Sequence, residues 1–200
     1  VYFARSGRVW LMCVSLMCTT VLMEVIGFLP LYLKETLGIS PAQAATASSV
    51  FPAGCLTALI VGGWVYDKVS RKGRAPLLGG LLALCVLCLA ALFAMARAPL
   101  GPGAAFIVTA VVLFLYGLAV APAYYLPMSV FSIEHGGKHC GVLIGLIDAA
   151  GYAAAMLYQF GGGALLDRPG GWQNMLVLLL ATAVLAAGTT VWFARQDAAA

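Results

Sequence analysis

Two hundred residues that are 63% hydrophobic and 9% charged, with a mean hydropathy of +1.01, exclude an ordinary soluble domain, which carries about 25% charged residues. The net charge of +4 comes from eleven Lys and Arg against seven Asp and Glu, clustered between long uncharged stretches. That pattern excludes a nucleic-acid-binding domain, a secreted disulfide scaffold and a water-filled β-barrel, whose strands alternate over segments of about 10 residues.

A helix needs about 20 apolar residues to cross a hydrocarbon core about 30 Å thick. Reading from charge to charge, the predicted spans are 9–33, 41–65, 76–96, 104–128, 141–165 and 172–194. The first is interrupted only by Glu24 and the fifth only by Asp148; the fourth starts after the turn signals Pro99 and Pro102, and the sixth after Pro169-Gly170-Gly171. Short connections predict that consecutive helices are antiparallel neighbours. Arg5, Arg8, Lys68, Arg71, Lys72, Arg74, Lys138 and Arg195 fall on one side of the membrane, against Lys34, Arg97 and Arg168 on the other. The positive-inside rule then places both termini of this segment in the cytoplasm. Trp10, Trp64, Trp172 and Trp192 lie near predicted helix ends, at headgroup depth.

The chain starts at Val1 without Met and without a signal-peptide pattern, as a piece of something longer does. Cys13, Cys18, Cys55, Cys85 and Cys88 lie inside predicted spans, where they act as small apolar residues, and Cys85-Val-Leu-Cys88 lacks a second pair. His135-Gly-Gly-Lys-His139 is expected to be a cytoplasmic turn, because two glycines oppose the helix that would set the histidines on one face. No metal site and no cofactor are expected. Gly-x-Ser-x-Gly, His-Glu-x-x-His and phosphate-cradling loops are all missing, so an enzyme is not expected.

Between the second and third spans lies Gly63-Trp64-x-x-Asp67-Lys68-x-x-Arg71-x-Gly73-Arg74. This loop resembles the signature of the major facilitator superfamily, and most closely its form in the second half of the organophosphate:phosphate antiporters, the glycerol-3-phosphate and hexose-phosphate transporter group. Pro30-x-Tyr32-Leu33-Lys34-Glu35 is similar to that group's first-helix exit, and Gly141, Gly145 and Gly151-Tyr152 to its fifth helix. The resemblance covers residues 8 to 194. It implies an all-α membrane protein of six transmembrane helices, one half of a twelve-helix fold, whose N-terminal half is absent from this chain. In such transporters solute binds between two halves that rock to expose it to either side.

By the same resemblance Gly63, Asp67, Lys68, Arg71, Gly73 and Arg74 form a cytoplasmic conformational latch. The implied partners are a small-molecule solute, the lipid bilayer and the N-terminal half, with no nucleic acid. One position departs from the group: the arginine that clamps the substrate phosphate falls at Leu22. No Arg or Lys lies within a predicted span to replace it, although a guanidinium is the natural partner of a phosphate dianion.

Carboxylates inside a membrane are costly and face a cavity or a partner. Glu24 and Asp148 are therefore the leading candidates for binding solute or a coupling ion. Tyr124, Tyr152 and Gln159 are the accompanying hydrogen-bonding candidates, since a phenol or a primary amide can serve a polar solute. Gly141-x-x-x-Gly145 and Gly161-Gly162-Gly163 predict close helix packing. The expected function is secondary active transport of a small polar solute by alternating access, an organophosphate exchanged for phosphate being one form. The alternatives are a proton- or cation-coupled carrier of a non-phosphorylated metabolite and a transporter-like solute sensor.

Overall fold

A computed structural model describes residues 6–97 and 101–198, with Arg5 and Pro99 outside them. The described residues form α1 (Gly7–Met23), a 3-10 turn (Glu24–Gly27), α2 (Leu29–Leu37), α3 (Pro41–Lys68), α4 (Arg71–Met95), α5 (Pro102–Gly136), a 3-10 turn (Gly137–His139), α6 (Cys140–Leu166) and α7 (Gly171–Ala198). Five apolar runs are long enough to cross a membrane; one of them, Gly103–Leu166, is 64 residues long and holds both α5 and α6, which makes six crossings. The described residues form an all-helical membrane protein.

The first crossing is broken where the sequence supplies Gly27 and Pro30. Proline cannot donate to a helix ladder, and it is tolerated at the start of α2, where that donor has no helical acceptor. The carbonyl of Leu22, in the last turn of α1, instead accepts the Tyr116 hydroxyl of α5 at 2.7 Å. At the far end of α2, Gly38 takes φ +63, a left-handed cap that glycine adopts without Cβ strain. Ser40 then caps α3, accepting from the Gln43 amide.

α4 starts at Arg71 rather than at residue 76. α5 is 35 residues long, about 52 Å at the helical rise, and continues to Gly136 rather than stopping near 128. His135 is accordingly in the last turn of α5, and His139 in the 3-10 turn after Gly137, which has φ +49. The expected turn between them is thus the 3-10 segment Gly137–His139, and α5 runs through His135 and Gly136 before it.

Consecutive helices α4 and α5, α5 and α6, and α6 and α7 pack on each other as short connections predict, whereas α3 and α4 do not pack closely, and the heaviest contacts are mostly between helices apart in the chain. The heaviest contacts pair α3 with α5, α4 with α7, and α1 with α6 and α7, while α5 also packs on α4. Glycine explains the tightest crossing. A Cβ at Gly54 would collide with the Phe114 carbonyl, and one at Gly117 with the Phe51 carbonyl, so α3 and α5 meet backbone to backbone. At the α1–α6 crossing a Cβ on Gly151 would come within 2.8 Å of the Thr20 hydroxyl. The predicted packing glycines behave differently: Gly141, Gly145, Gly161 and Gly163 have nothing within 4 Å of a built Cβ, and only Gly162 of that set meets neighbours, Met175 and Phe28.

Candidate functional site

Glu24 opens the 3-10 turn that breaks the first crossing. Its carboxylate Oε2 accepts a hydrogen bond from Gln159 Nε2 of α6 at 2.8 Å. Gly27 makes room for this pair, since a Cβ there would lie 3.1 Å from the same amide nitrogen. Tyr158, the residue before Gln159 on α6, is buried, stacks edge-on against Phe28 at 5.7 Å and leaves its hydroxyl without a hydrogen-bond partner among the described residues.

Asp148, Tyr152 and Gln159 share one face of α6, because steps of four and eleven residues return to nearly the same side of a helix. Asp148 is half-buried, and Tyr152 is 63% exposed. Tyr124 of α5 is buried and packs edge-on against Tyr125 at 4.5 Å. Of the five sequence-derived candidates, Glu24 and Gln159 are joined by a hydrogen bond, Asp148 and Tyr152 lie one turn apart on α6, and Tyr124 stands on α5. About 16 Å of α6 separates Asp148 from Gln159. Among the described residues, salt bridges join Glu134 to Arg71 and Arg74 alone, so neither Glu24 nor Asp148 has a paired cation.

That salt-bridged cluster occupies the basic end of the bundle. Arg71 Nη2 stands 3.2 Å from Glu134 Oε2, and Arg74 Nη1 stands 3.8 Å from Glu134 Oε1. The Arg74 guanidinium also lies over the Tyr66 ring at 4.8 Å. Of the latch candidates, Asp67 is exposed, Lys68 covers the exposed Trp64 ring at 3.5 Å, and Gly63 has open space around it. Gly73 is closely approached, its Cβ position lying 2.7 Å from Val69 Cγ1.

The acid that meets the two arginines is therefore Glu134, which sequence reasoning missed because it lay beyond the predicted end of the fourth span. Its position among the basic residues of that membrane face, with Asp67 and Asp197 the other acids there, was the available signal. Glu134, His135 and the buried Asp197 bring ligand-type atoms within 4.8 Å of one another. Glu134 already faces two guanidiniums, whose charge opposes a cation at this point.

Comparison with known proteins gives a consistent assignment. The chain is 27% identical over 158 residues to the membrane sensor protein UhpC of Escherichia coli strain K12, and equally so to its namesake from Salmonella typhimurium strain LT2. Each match covers 78% of this chain and 34% of the relative, so the chain spans about a third of the length of the curated relatives it matches. No solved structure matches it. The Major Facilitator Superfamily matches residues 1–157, through the broken first crossing, the Gly63 to Arg74 loop and the Asp148 and Tyr152 face. This chain belongs to the Major Facilitator Superfamily, a family of membrane transporters and not of enzymes.

Proposed function

We propose that the chain is the C-terminal six-helix half of a secondary active transporter that moves a small polar solute by alternating access. The observation that carries this reading is the Glu24–Gln159 pair: a carboxylate within a membrane crossing, at a helix break, bound to one amide and to no cation among the described residues. A carboxylate within a crossing and with no cation beside it is placed to meet a cationic solute or a coupling ion. The α6 face that carries Gly141, Gly145, Asp148 and Tyr152 is open. Facing lipid, Asp148 would cost on the order of 2.5–3.5 kcal/mol, so this face fits contact with the N-terminal half across a solute cavity.

The substrate follows from the same charges. Leu22, where a phosphate clamp would stand, is fully buried, with its carbonyl occupied by Tyr116. A proton- or cation-coupled carrier of a non-phosphorylated solute fits this site better than an organophosphate exchanger. A second reading, solute sensing without transport, is favoured by the description of both curated relatives as membrane sensors. The deciding experiment is uptake into proteoliposomes, comparing inorganic phosphate and sugar phosphates with neutral and cationic metabolites, for wild type and Glu24→Gln. Uptake that is pH-dependent and lost in Glu24→Gln supports the proposal. Phosphate exchange that survives the substitution overturns the role of Glu24, and saturable binding without uptake of any solute supports sensing.

A further inference from the structure

α3 and α4 both pack on α5 rather than closely on each other, which leaves a cleft of about 190 Å³ between them. Its walls are almost wholly apolar and include Ala58, Val61 and Gly62 of α3, Leu78 and Leu81 of α4, and Pro122 of α5. Thr57, which also lines it, turns its hydroxyl back to the Ala53 carbonyl at 2.9 Å. A solute that needs hydrogen bonds finds nothing here, whereas an alkyl chain finds a fitted wall.

The charges at its mouth are unlike its walls. Residues seven apart share a helix face, which puts Lys68 in line with Val61, Arg71 with Leu78 and Arg74 with Leu81. Arg74 lies on Tyr66, another residue of the cleft. Arg71 is 53% exposed, and Lys72 beside it is exposed too. Lys68, Arg71, Lys72 and Arg74 meet two carboxylates here, the exposed Asp67 and Glu134, the latter serving both arginines, which leaves a positive excess at this end. The 25-residue α4 starts here as well, and Ser70 makes no side-chain cap, so its first amides point to the same place with the positive end of the helix dipole.

We infer that this cleft is a binding site for an anionic phospholipid of the leaflet on the α3–α4 loop side, with an acyl chain between α3 and α4 and the phosphate held by Lys68, Arg71 and Lys72. Charge complementarity selects the headgroup, and the apolar walls place the chain. A zwitterionic lipid matches the walls but brings its own ammonium to a mouth that is already cationic. The site would tie the Gly63 to Arg74 loop to membrane composition.

The test is native mass spectrometry of the purified, delipidated protein, titrated with phosphatidylglycerol and with phosphatidylcholine of the same acyl chains. Phosphatidylglycerol is expected to be retained at least about tenfold better. A basic residue near an anionic headgroup is worth about fivefold, so Lys68→Gln with Arg71→Gln should lower that retention about 25-fold. Gly62→Leu should weaken it by filling the cleft beside Pro122, whose Cγ is 3.4 Å from a built Cβ. Leu81→Phe fills the same space from α4 and replaces Gly62→Leu if that variant does not fold. Equal retention of the two lipids overturns the proposal. So does phosphatidylglycerol binding that ignores the filled cleft, since surface charge alone would then be at work, and so does a segment of the protein's own chain that competes the lipid away.

Discussion

At Glu24 one hydrogen bond carries most of the site's chemistry. Gln159 donates to the carboxylate, and bonds to a charged group are worth about 1.5–3 kcal/mol, more than a neutral pair. Gln159→Leu is expected to leave Glu24 without its amide and to lower stability by about 2 kcal/mol. Adding Glu24→Gln to that variant should recover part of the loss, because the charge that lacked a partner is gone. Both effects are measurable as melting temperatures with a thiol-reactive dye, since Cys13, Cys18, Cys55, Cys85 and Cys88 are buried and free. Tyr116→Phe tests the same break from the other side: the Leu22 carbonyl loses its hydroxyl donor, and about 1 kcal/mol should be lost with little change in packing. The sequence named Glu24 and Gln159 separately, as polar groups in lipid. Their partnership across 135 residues was not legible, because periodicity describes one helix at a time.

The glycines separate two kinds of element contact. Gly54 and Gly117 let α3 and α5 touch through their backbones, so Gly54→Leu or Gly117→Leu is expected to prevent the helices from docking and to abolish folded protein in size-exclusion chromatography. Gly63 sits on the same α3 with nothing near it, and Gly63→Ala is expected to be neutral or to stabilise by up to about 1 kcal/mol through helix propensity. A sequence pattern cannot rank these positions, since a glycine in a helix looks the same whether a neighbouring backbone or open space lies beside it. Gly141 and Gly145 show the converse, with packing chemistry in the sequence and no neighbour within the chain.

Across the whole bundle, Glu134 ties α5 to the start of α4 through Arg71 and Arg74. The Arg71 contact is exposed and worth at most about 1 kcal/mol. Arg74 is only 17% exposed and has its Nε and Nη1 without a hydrogen-bond partner among the described residues, so the ion pair with the acid at 3.8 Å is what offsets its burial. Glu134→Gln is expected to loosen this end while leaving the Trp172–Glu35 bond of 3.0 Å at the opposite end intact. Cysteine labelling at the buried Ala75, next to the arginines, should rise in Ala75→Cys when Glu134→Gln is added and stay unchanged at the buried Ala44 in Ala44→Cys. Equal labelling at position 75 with and without Glu134 would show that the acid does not hold this end.

Composition and spacing by themselves determined that this protein lies in a membrane, that it crosses about six times and that two acids sit within the crossings, because the cost of placing charge and unpaired backbone in hydrocarbon is written residue by residue. The Gly63 to Arg74 loop was legible for the same local reason, being a contiguous string. Tertiary structure alone decided that the first crossing breaks at Glu24, that Gln159 rather than a cation meets that carboxylate, and that Glu134 rather than Asp67 meets the arginines. It also decided that α3 and α4, adjacent in the chain, leave a cleft between them. The reason is common to all four. In lipid every helix is apolar on most of its surface, so hydrophobic pattern no longer says which side meets which neighbour, and close packing of backbones and polar groups makes that choice.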